Sequence, residues 1–180
     1  MDSLHKMGQK ILKATEANIE RAARVIKNGG LVIFPTDTVY GLGCDFFNQA
    51  AVRRIFITKG RDENKPLPVL IADLDQLRKL VDVVPPLAKE LIKKYWPGKL
   101  TIIFSAGQKK VGVRMPRHRV TKLLIRMADV PIVGTSANLF GEEPLTDIKN
   151  IPPKLLDGVD FVLDGGPSSE ILASTIVDVT

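Results

Sequence analysis

Helical and extended patterns alternate along this chain from about residue 16 to its end, and that alternation narrows the available folds more than any other feature. Ile19, Ala22, Ala23, Val25 and Ile26 recur at helical spacing and stop at Asn28-Gly29-Gly30, a good helix C-terminus. The apolar run Leu31-Val32-Ile33-Phe34-Pro35 follows at once and reads as a buried strand. The same reasoning predicts helices over 49–58, over 75–81 with Asp73 as cap, from Pro86 to Tyr95, and over 121–128. Strands are predicted at 67–72, 100–105, 111–115, 131–134, 161–163 and 175–179. Some strands are separated by helices and others follow one another directly. The expectation is therefore an α/β fold, a twisted mixed β-sheet with flanking helices, not a pure doubly wound one. No linker, repeat or low-complexity tract divides the sequence, and 180 residues with 44% hydrophobic content suffice for one core, so residues 1–180 are read as a single domain.

Charge is segregated within this frame. Residues 1–90 carry a net +3, residues 91–128 carry ten Lys or Arg and no Asp or Glu, and residues 129–180 carry −7. Concentrated positive potential draws phosphates, so nucleotides and nucleic acid are the first candidate partners. A single cysteine, Cys44, excludes an internal disulfide framework, and two histidines, His5 and His118, do not make a zinc site, so no dedicated metal site is expected. A hard cation such as Mg²⁺, held mainly through substrate phosphates, remains compatible with the composition. The N-terminus lacks an apolar secretory run and no segment approaches the roughly 20 apolar residues of a membrane span, which leads to the expectation of a cytoplasmic protein without a membrane partner.

Neither G-x-G-x-x-G nor G-x-x-x-x-G-K-[ST] occurs, so the familiar phosphate-cradling loops are absent from the sequence. Three polar strand ends stand in their place. Pro35-Thr36-Asp37-Thr38-Val39-Tyr40-Gly41-Leu42-Gly43 follows the first strand; the spacing of Thr36 and Thr38 puts both hydroxyls on one side of an extended segment, and Gly41 and Gly43 would admit close backbone approach. An Asx or Thr turn capping a helix explains the same residues equally well. Lys59-Gly60-Arg61 forms a basic turn in which Lys59 offers a point charge and Arg61 a planar fork for phosphate, or simply a solvated surface turn. Thr135-Ser136-Ala137-Asn138 follows a buried strand and supplies donors and acceptors without charge. Ser136 lacks the surroundings of a nucleophile, and His118 reads as a surface residue. Arg114 falls in an apolar extended run and needs an anionic partner, either a ligand carboxylate or one of the protein's own acids.

Together these segments resemble the YrdC-like threonylcarbamoyladenylate synthase family. The matching pieces are 35–43, Lys59-Gly60-Arg61 with Lys65-Pro66-Leu67, Trp96-Pro97-Gly98 with Leu100-Thr101, and Val113-Arg114-Met115-Pro116. Thr135-Ser136-Ala137-Asn138 with Gly141, and Gly165-Gly166 followed by Ser174-Thr175-Ile176-Val177-Asp178, complete the set. The resemblance implies a single-domain nucleotidyltransferase with a basic concave cleft that joins L-threonine, bicarbonate or CO₂, and ATP with Mg²⁺ into threonylcarbamoyl-AMP and pyrophosphate. Its product would pass to a downstream threonylcarbamoyl transferase acting on tRNA. Residue by residue it implies Lys59, Arg61, Ser136 and Asn138 at ATP, and Thr36, Arg114 and Ser174 at threonine. No side chain is assigned a covalent catalytic role. Replacing Lys59 or Arg61 should then weaken ATP use at little cost in stability.

The sequence departs from the family pattern in three places. Leu70 stands where many members have His, Phe140 replaces a small polar residue and should alter the pocket wall, and an arginine-bearing segment usual beyond the position of Thr180 is not part of this sequence. A rival reading makes the basic stretch an RNA-binding module that docks tRNA or double-stranded RNA without chemistry. The 6% aromatic content offers few platforms for stacking bases and weighs against it.

Overall fold

A computed structural model of the chain describes residues 10–168 and 174–180. Its strands are β1 (Ile11–Lys13), β2 (Val32–Phe34), β3 (Gly41–Asp45), β4 (Val69–Leu70), β5 (Leu100–Ala106), β6 (Lys109–Arg114), β7 (Ile132–Ser136), β8 (Phe161–Asp164) and β9 (Thr175–Asp178). The helices are α1 (Glu16–Lys27), α2 (Gln49–Lys59), α3 (Leu74–Arg78), α4 (Pro86–Tyr95), α5 (Arg119–Ala128) and α6 (Pro153–Gly158). All of these strands join one sheet in the order β1-β8-β2-β3-β7-β4-β6-β5-β9. β8 pairs in parallel with β1 and β2, β4 with β6, and β5 with β9, whereas β2-β3, β3-β7, β4-β7 and β5-β6 are antiparallel. The mixed sheet expected from the sequence is present.

Local signals explain the element ends. Thr15 accepts the Asn18 N–H at the start of α1, Asn48 that of Ala51 at the start of α2, and Asp73 that of Gln76 at the start of α3. Gly60 closes α2 in the left-handed conformation at φ 64°, where a side chain would be strained. The run predicted as a strand over 67–72 narrows to two residues, because Pro66 and Pro68 have no N–H for a ladder. β1, β3 and α6 were not expected. β3 in particular hid in the Gly41-Leu42-Gly43 motif, where Gly43 makes room for the neighbouring strand while Gly41 lies at the cavity. A Cβ on Gly43 would lie 2.2 Å from the Val133 carbonyl oxygen on the neighbouring strand.

Alternation along the strands divides the core into two faces. Ile33, Leu42, Val133 and Val162 point to the side covered by α2 and α6, with Ile55, Leu155 and Leu156. Val32, Phe34, Ile132, Phe161 and Leu163 point to the opposite side, where α1 and α5 contribute Ile19, Ile26, Leu124 and Ile125. Beyond β7 the first face continues as Val69, Val113, Ile102 and Phe104 beneath α3 and α4, with Trp96 and Leu77. The second face behaves differently there. Leu70 pairs with both Ile132 and Arg114, and Thr101 pairs with Ile176, so these residues share the α1/α5 side of the sheet. Ile176 on that side is 63% exposed. The open half of this face is where the polar strand ends meet.

Candidate functional site

A cavity of about 230 Å³ opens on the uncovered half of that face. Thr36 and Thr38 reach it from the end of β2, Thr135 and Ser136 from the end of β7, and Arg114 is the last residue of β6. Thr101 of β5 and Ser174, just before β9, close the far side, while Leu70, Pro68 and Pro144 supply apolar wall. Four predicted residues, Thr36, Arg114, Ser136 and Ser174, thus meet in one cavity. Its hydroxyls are ordered before any ligand arrives. Thr36 Oγ1 lies 3.1 Å from Thr38 Oγ1 and donates to the Val39 carbonyl at 2.6 Å, and Thr101 Oγ1 lies 3.0 Å from Ser174 Oγ. The surroundings fix the strand end itself: buried Thr121 of α5 donates to the Pro35 carbonyl at 2.6 Å. The Tyr40 hydroxyl donates to the Gly166 carbonyl at 2.6 Å and accepts from the Gly165 N–H at 3.0 Å.

Arg114 provides the positive charge of the cavity. Of the two partners the sequence left open, the protein supplies one. Nη2 donates to Asp37 Oδ1 at 2.6 Å in a pair whose side chains are 9% and 11% exposed, and Nε donates to the Gly98 carbonyl at 2.9 Å. At this burial the attraction between the charges is offset by the cost of desolvating both, and removing either partner alone is costly because it leaves the other charge unpaired. Nη1 has no hydrogen-bond partner among the described residues, so part of the guanidinium stays open to a ligand.

Lys59 and Asn138 do not line the cavity, and Lys59 is not the solvated charge that the basic turn suggested. It is 2% exposed, and Nζ donates to the Ser136 carbonyl at 2.5 Å, the Asn138 carbonyl at 2.8 Å and Asn138 Oδ1 at 3.0 Å. Asn138 completes the knot: its Nδ2 donates to the Leu139 and Glu142 carbonyls, and its Oδ1 accepts from Ser136 Oγ at 2.6 Å. The expectation that Lys59 could be removed at little structural cost is therefore corrected. Burial pushes the Lys59 ammonium down to about 8, with the Arg61 guanidinium adding to the effect. The three oxygens around Nζ act in the opposite sense and favour the charged form. Arg61 also lies outside the cavity lining; Nη2 donates to the Pro66 carbonyl at 3.2 Å, and the buried Nε has no partner among the described residues. Phe140, expected in the pocket wall, instead stands 52% exposed beneath Lys65, whose Nζ sits 4.3 Å from the ring centroid.

The ten cations of 91–128 are distributed over several places, so the single basic cleft implied by the resemblance does not emerge from the described residues. Arg114 faces the hydroxyl-lined cavity. Lys94, Lys99 and Arg117 border a wider recess of about 610 Å³ that shares Thr36 with it. Lys110 pairs with Asp178 at 2.9 Å, and Arg119, Lys122 and Arg126 lie along α5 beside Glu16. His118, expected at the surface, is half-buried at the start of α5; burial lowers its pKa, with Asp37 opposing. Cys44 is buried and its thiol is pushed up to about 12, which removes it as a nucleophile.

Two residues had no role in the sequence reading. Asp37 was one letter of a hydroxyl motif, and Thr101 one of a strand. No local signal marked Asp37, which lies 77 residues from Arg114 along the chain; for Thr101, now seen to be 4% exposed, the available signal was a hydroxyl in an otherwise apolar run. For Mg²⁺ the donor set is decisive. Among the described residues the cavity offers hydroxyls and no carboxylate, and no group of three or more His, Cys, Asp or Glu could hold a metal. These residues fit the ion only as part of a metal–nucleotide complex. No described helix is long and apolar enough to cross a membrane.

Comparison with known proteins places this geometry. A threonylcarbamoyl-AMP synthase of Pyrococcus abyssi is 37% identical over 175 residues, which covers 92% of this chain and 52% of that protein. This chain thus spans about half the length of that relative. A threonylcarbamoyl-AMP synthase of Coxiella burnetii is 30% identical, covering 84% of this chain and 88% of its own length. The crystal structure of P. abyssi Sua5 complexed with L-threonine superposes with a TM-score of 0.86 at 35% identity, over 94% of this chain and 53% of that one. The Sua5/YciO/YrdC family model, described as telomere recombination, matches residues 24–180, and the chain belongs to that family.

Proposed function

We propose that this chain is a nucleotidyltransferase that forms threonylcarbamoyl-AMP and pyrophosphate from L-threonine, bicarbonate or CO₂, and ATP. The observation that carries the reading is the single small cavity shared by Thr36, Thr101, Arg114, Ser136 and Ser174. A hydroxyl-lined pocket of about 230 Å³ with one guanidinium suits a small amino acid bearing a hydroxyl and a carboxylate. The likeness to a relative that binds L-threonine supports it further.

Arg114 takes the threonine carboxylate through its open edge, while the hydroxyls of Thr36, Thr101 and Ser174 orient the side chain and the amine. The amine and bicarbonate give N-carboxythreonine and water. The carbamate oxygen then attacks the α-phosphorus of ATP in line; a P–O bond to the carbamate forms, the bond to the bridging oxygen breaks, and pyrophosphate leaves with the electron pair. Such a step needs positioning and charge neutralisation, not a side-chain nucleophile. Ser136 meets the nucleotide from the cavity edge. Arg61 would take a phosphate oxygen with its guanidinium, and Lys59 with Asn138 act by holding the Ser136 turn. Mg²⁺, held through the ATP phosphates, would supply charge neutralisation for the leaving pyrophosphate. The product would serve tRNA modification through a downstream transferase.

The test is incubation of the pure chain with ATP, Mg²⁺, bicarbonate and L-threonine, following pyrophosphate and detecting threonylcarbamoyl-AMP by mass spectrometry. Product that depends on threonine supports the reading. Absence of product from a chain that binds both ATP and threonine overturns it.

A further inference from the structure

We infer that Asp37 is the positioning residue for Arg114, fixing which edge of the guanidinium meets the substrate carboxylate. The inference rests on the reading that Arg114 binds threonine. Nε donates to the Gly98 carbonyl and Nη2 to Asp37 Oδ1, while Nη1 has no partner among the described residues. What remains is the Nη1–Nη2 end, the edge suited to a bidentate carboxylate. Asp37 is itself held. Its second oxygen, Oδ2, accepts the Arg117 N–H at 3.1 Å, which ties the carboxylate to the backbone just beyond β6. Asp37 borders the wider recess and Arg114 the smaller cavity, and their ion pair forms the partition between the two.

Two opposite consequences are conceivable for a carboxylate in that place. As a competitor, Asp37 would neutralise the guanidinium and weaken its hold on a second carboxylate. As a positioner, it holds a long, rotamer-rich side chain in place, so that little freedom is lost when substrate arrives. The geometry favours the second, because Asp37 lines the recess and not the cavity, and Nη1 of the cavity-lining Arg114 has no partner among the described residues.

The experiment is calorimetric titration of L-threonine into the full chain and its variants, with thermal unfolding of each recorded alongside. If the unaltered chain does not bind threonine, or Arg114→Ala binds it undiminished, the underlying reading fails. Provided Arg114→Ala weakens binding, Asp37→Ala is expected to weaken it about tenfold, and to have no further effect in the Arg114→Ala background. Asp37→Asn, which retains the shape and one acceptor oxygen, should fall between Asp37→Ala and the unaltered chain. Unchanged or tighter threonine binding in Asp37→Ala overturns the inference, as does an equal loss with and without Arg114. Should Asp37→Ala not fold, Asp37→Asn decides by the same criterion: weaker binding sustains the inference, and unchanged or tighter binding ends it.

Discussion

One face of the sheet is built two ways. Over β8, β2 and the start of β7 it is apolar, with Val32, Phe34, Ile132, Phe161 and Leu163 sealed beneath α1 and α5. Over β4, β6 and β5 the same face carries Arg114 and Thr101, with Leu70 at the margin still packed into the α1/α5 cluster, and the cavity lies against all three. The strands, their twist and their pairing are continuous across the boundary. What changes is the cover. The comparison separates residues whose burial stabilises the fold from residues whose partial burial leaves a donor or a charge available, and it makes the two sets separable by mutation.

The sharpest break should come from the sealed half. Phe34→Ala is expected to cost about 3–5 kcal/mol, read by chemical denaturation, because it leaves a void among wholly buried neighbours. Threonine affinity of the folded fraction should not move; a large change there would mean the halves are coupled. Next comes Arg114→Ala in the open half. Threonine binding should fall about ten- to a hundredfold, the ~1.5–3 kcal/mol of hydrogen bonds to a charged group. Unchanged affinity by calorimetry would remove Arg114 from the site. Tyr40→Phe, at the boundary, loses two hydrogen bonds to the Gly165-Gly166 turn, and about 1–3 kcal/mol of stability is expected to go with them.

Lys59 sharpens the comparison through pH. Its folded pKa of about 8 lies below the usual 10.5, so between these values the unfolded chain holds more protons than the folded one. The contribution of this group to stability therefore rises with pH across that window, and its unfavourable effect is fully present below about 8. Denaturation measured from pH 7.5 to 10.5 should show the rise in the unaltered chain and lose that component in Lys59→Met. The smallest effect belongs to the surface. Breaking the exposed Asp75–Arg78 pair with Asp75→Ala, outside both halves, should shift stability by no more than about 0.5 kcal/mol.

Strong local chemistry was readable from sequence alone. The spacing of Ile19, Ala22, Ala23 and Ile26 and the stop at Asn28-Gly29 gave α1, and the Pro85-Pro86 pair gave α4, because caps, prolines and periodic apolar residues act within a few positions. β3 was not readable. Gly41-Leu42-Gly43 lacks the β-branched residues that mark a strand, and its place between β2 and β7 is set by contacts with residues some ninety positions later. The candidate site divides in the same way. Thr36, Arg114, Ser136 and Ser174 could be gathered from polar strand ends, and the fold brings them to one cavity. Nothing local distinguishes a lysine that faces solvent from one that folds back onto a turn 77 residues away, so the place of Lys59 required the structure. The same holds for Asp37, which meets Arg114 across an equal separation.

The knot that Lys59 ties with Ser136 and Asn138 has a consequence for how any mutational survey of this chain is read. The basic turn after α2 and the Ser-Ala-Asn turn after β7 are one hydrogen-bonded unit, so a change at either is felt at both. An alanine at Lys59 would loosen the far turn, displace Ser136 at the cavity rim and register as lost activity even if the lysine never touched a phosphate. Assigning roles here calls for substitutions that keep the ammonium's anchoring bonds while altering its charge or reach, and for a structure of each variant before its rate is interpreted.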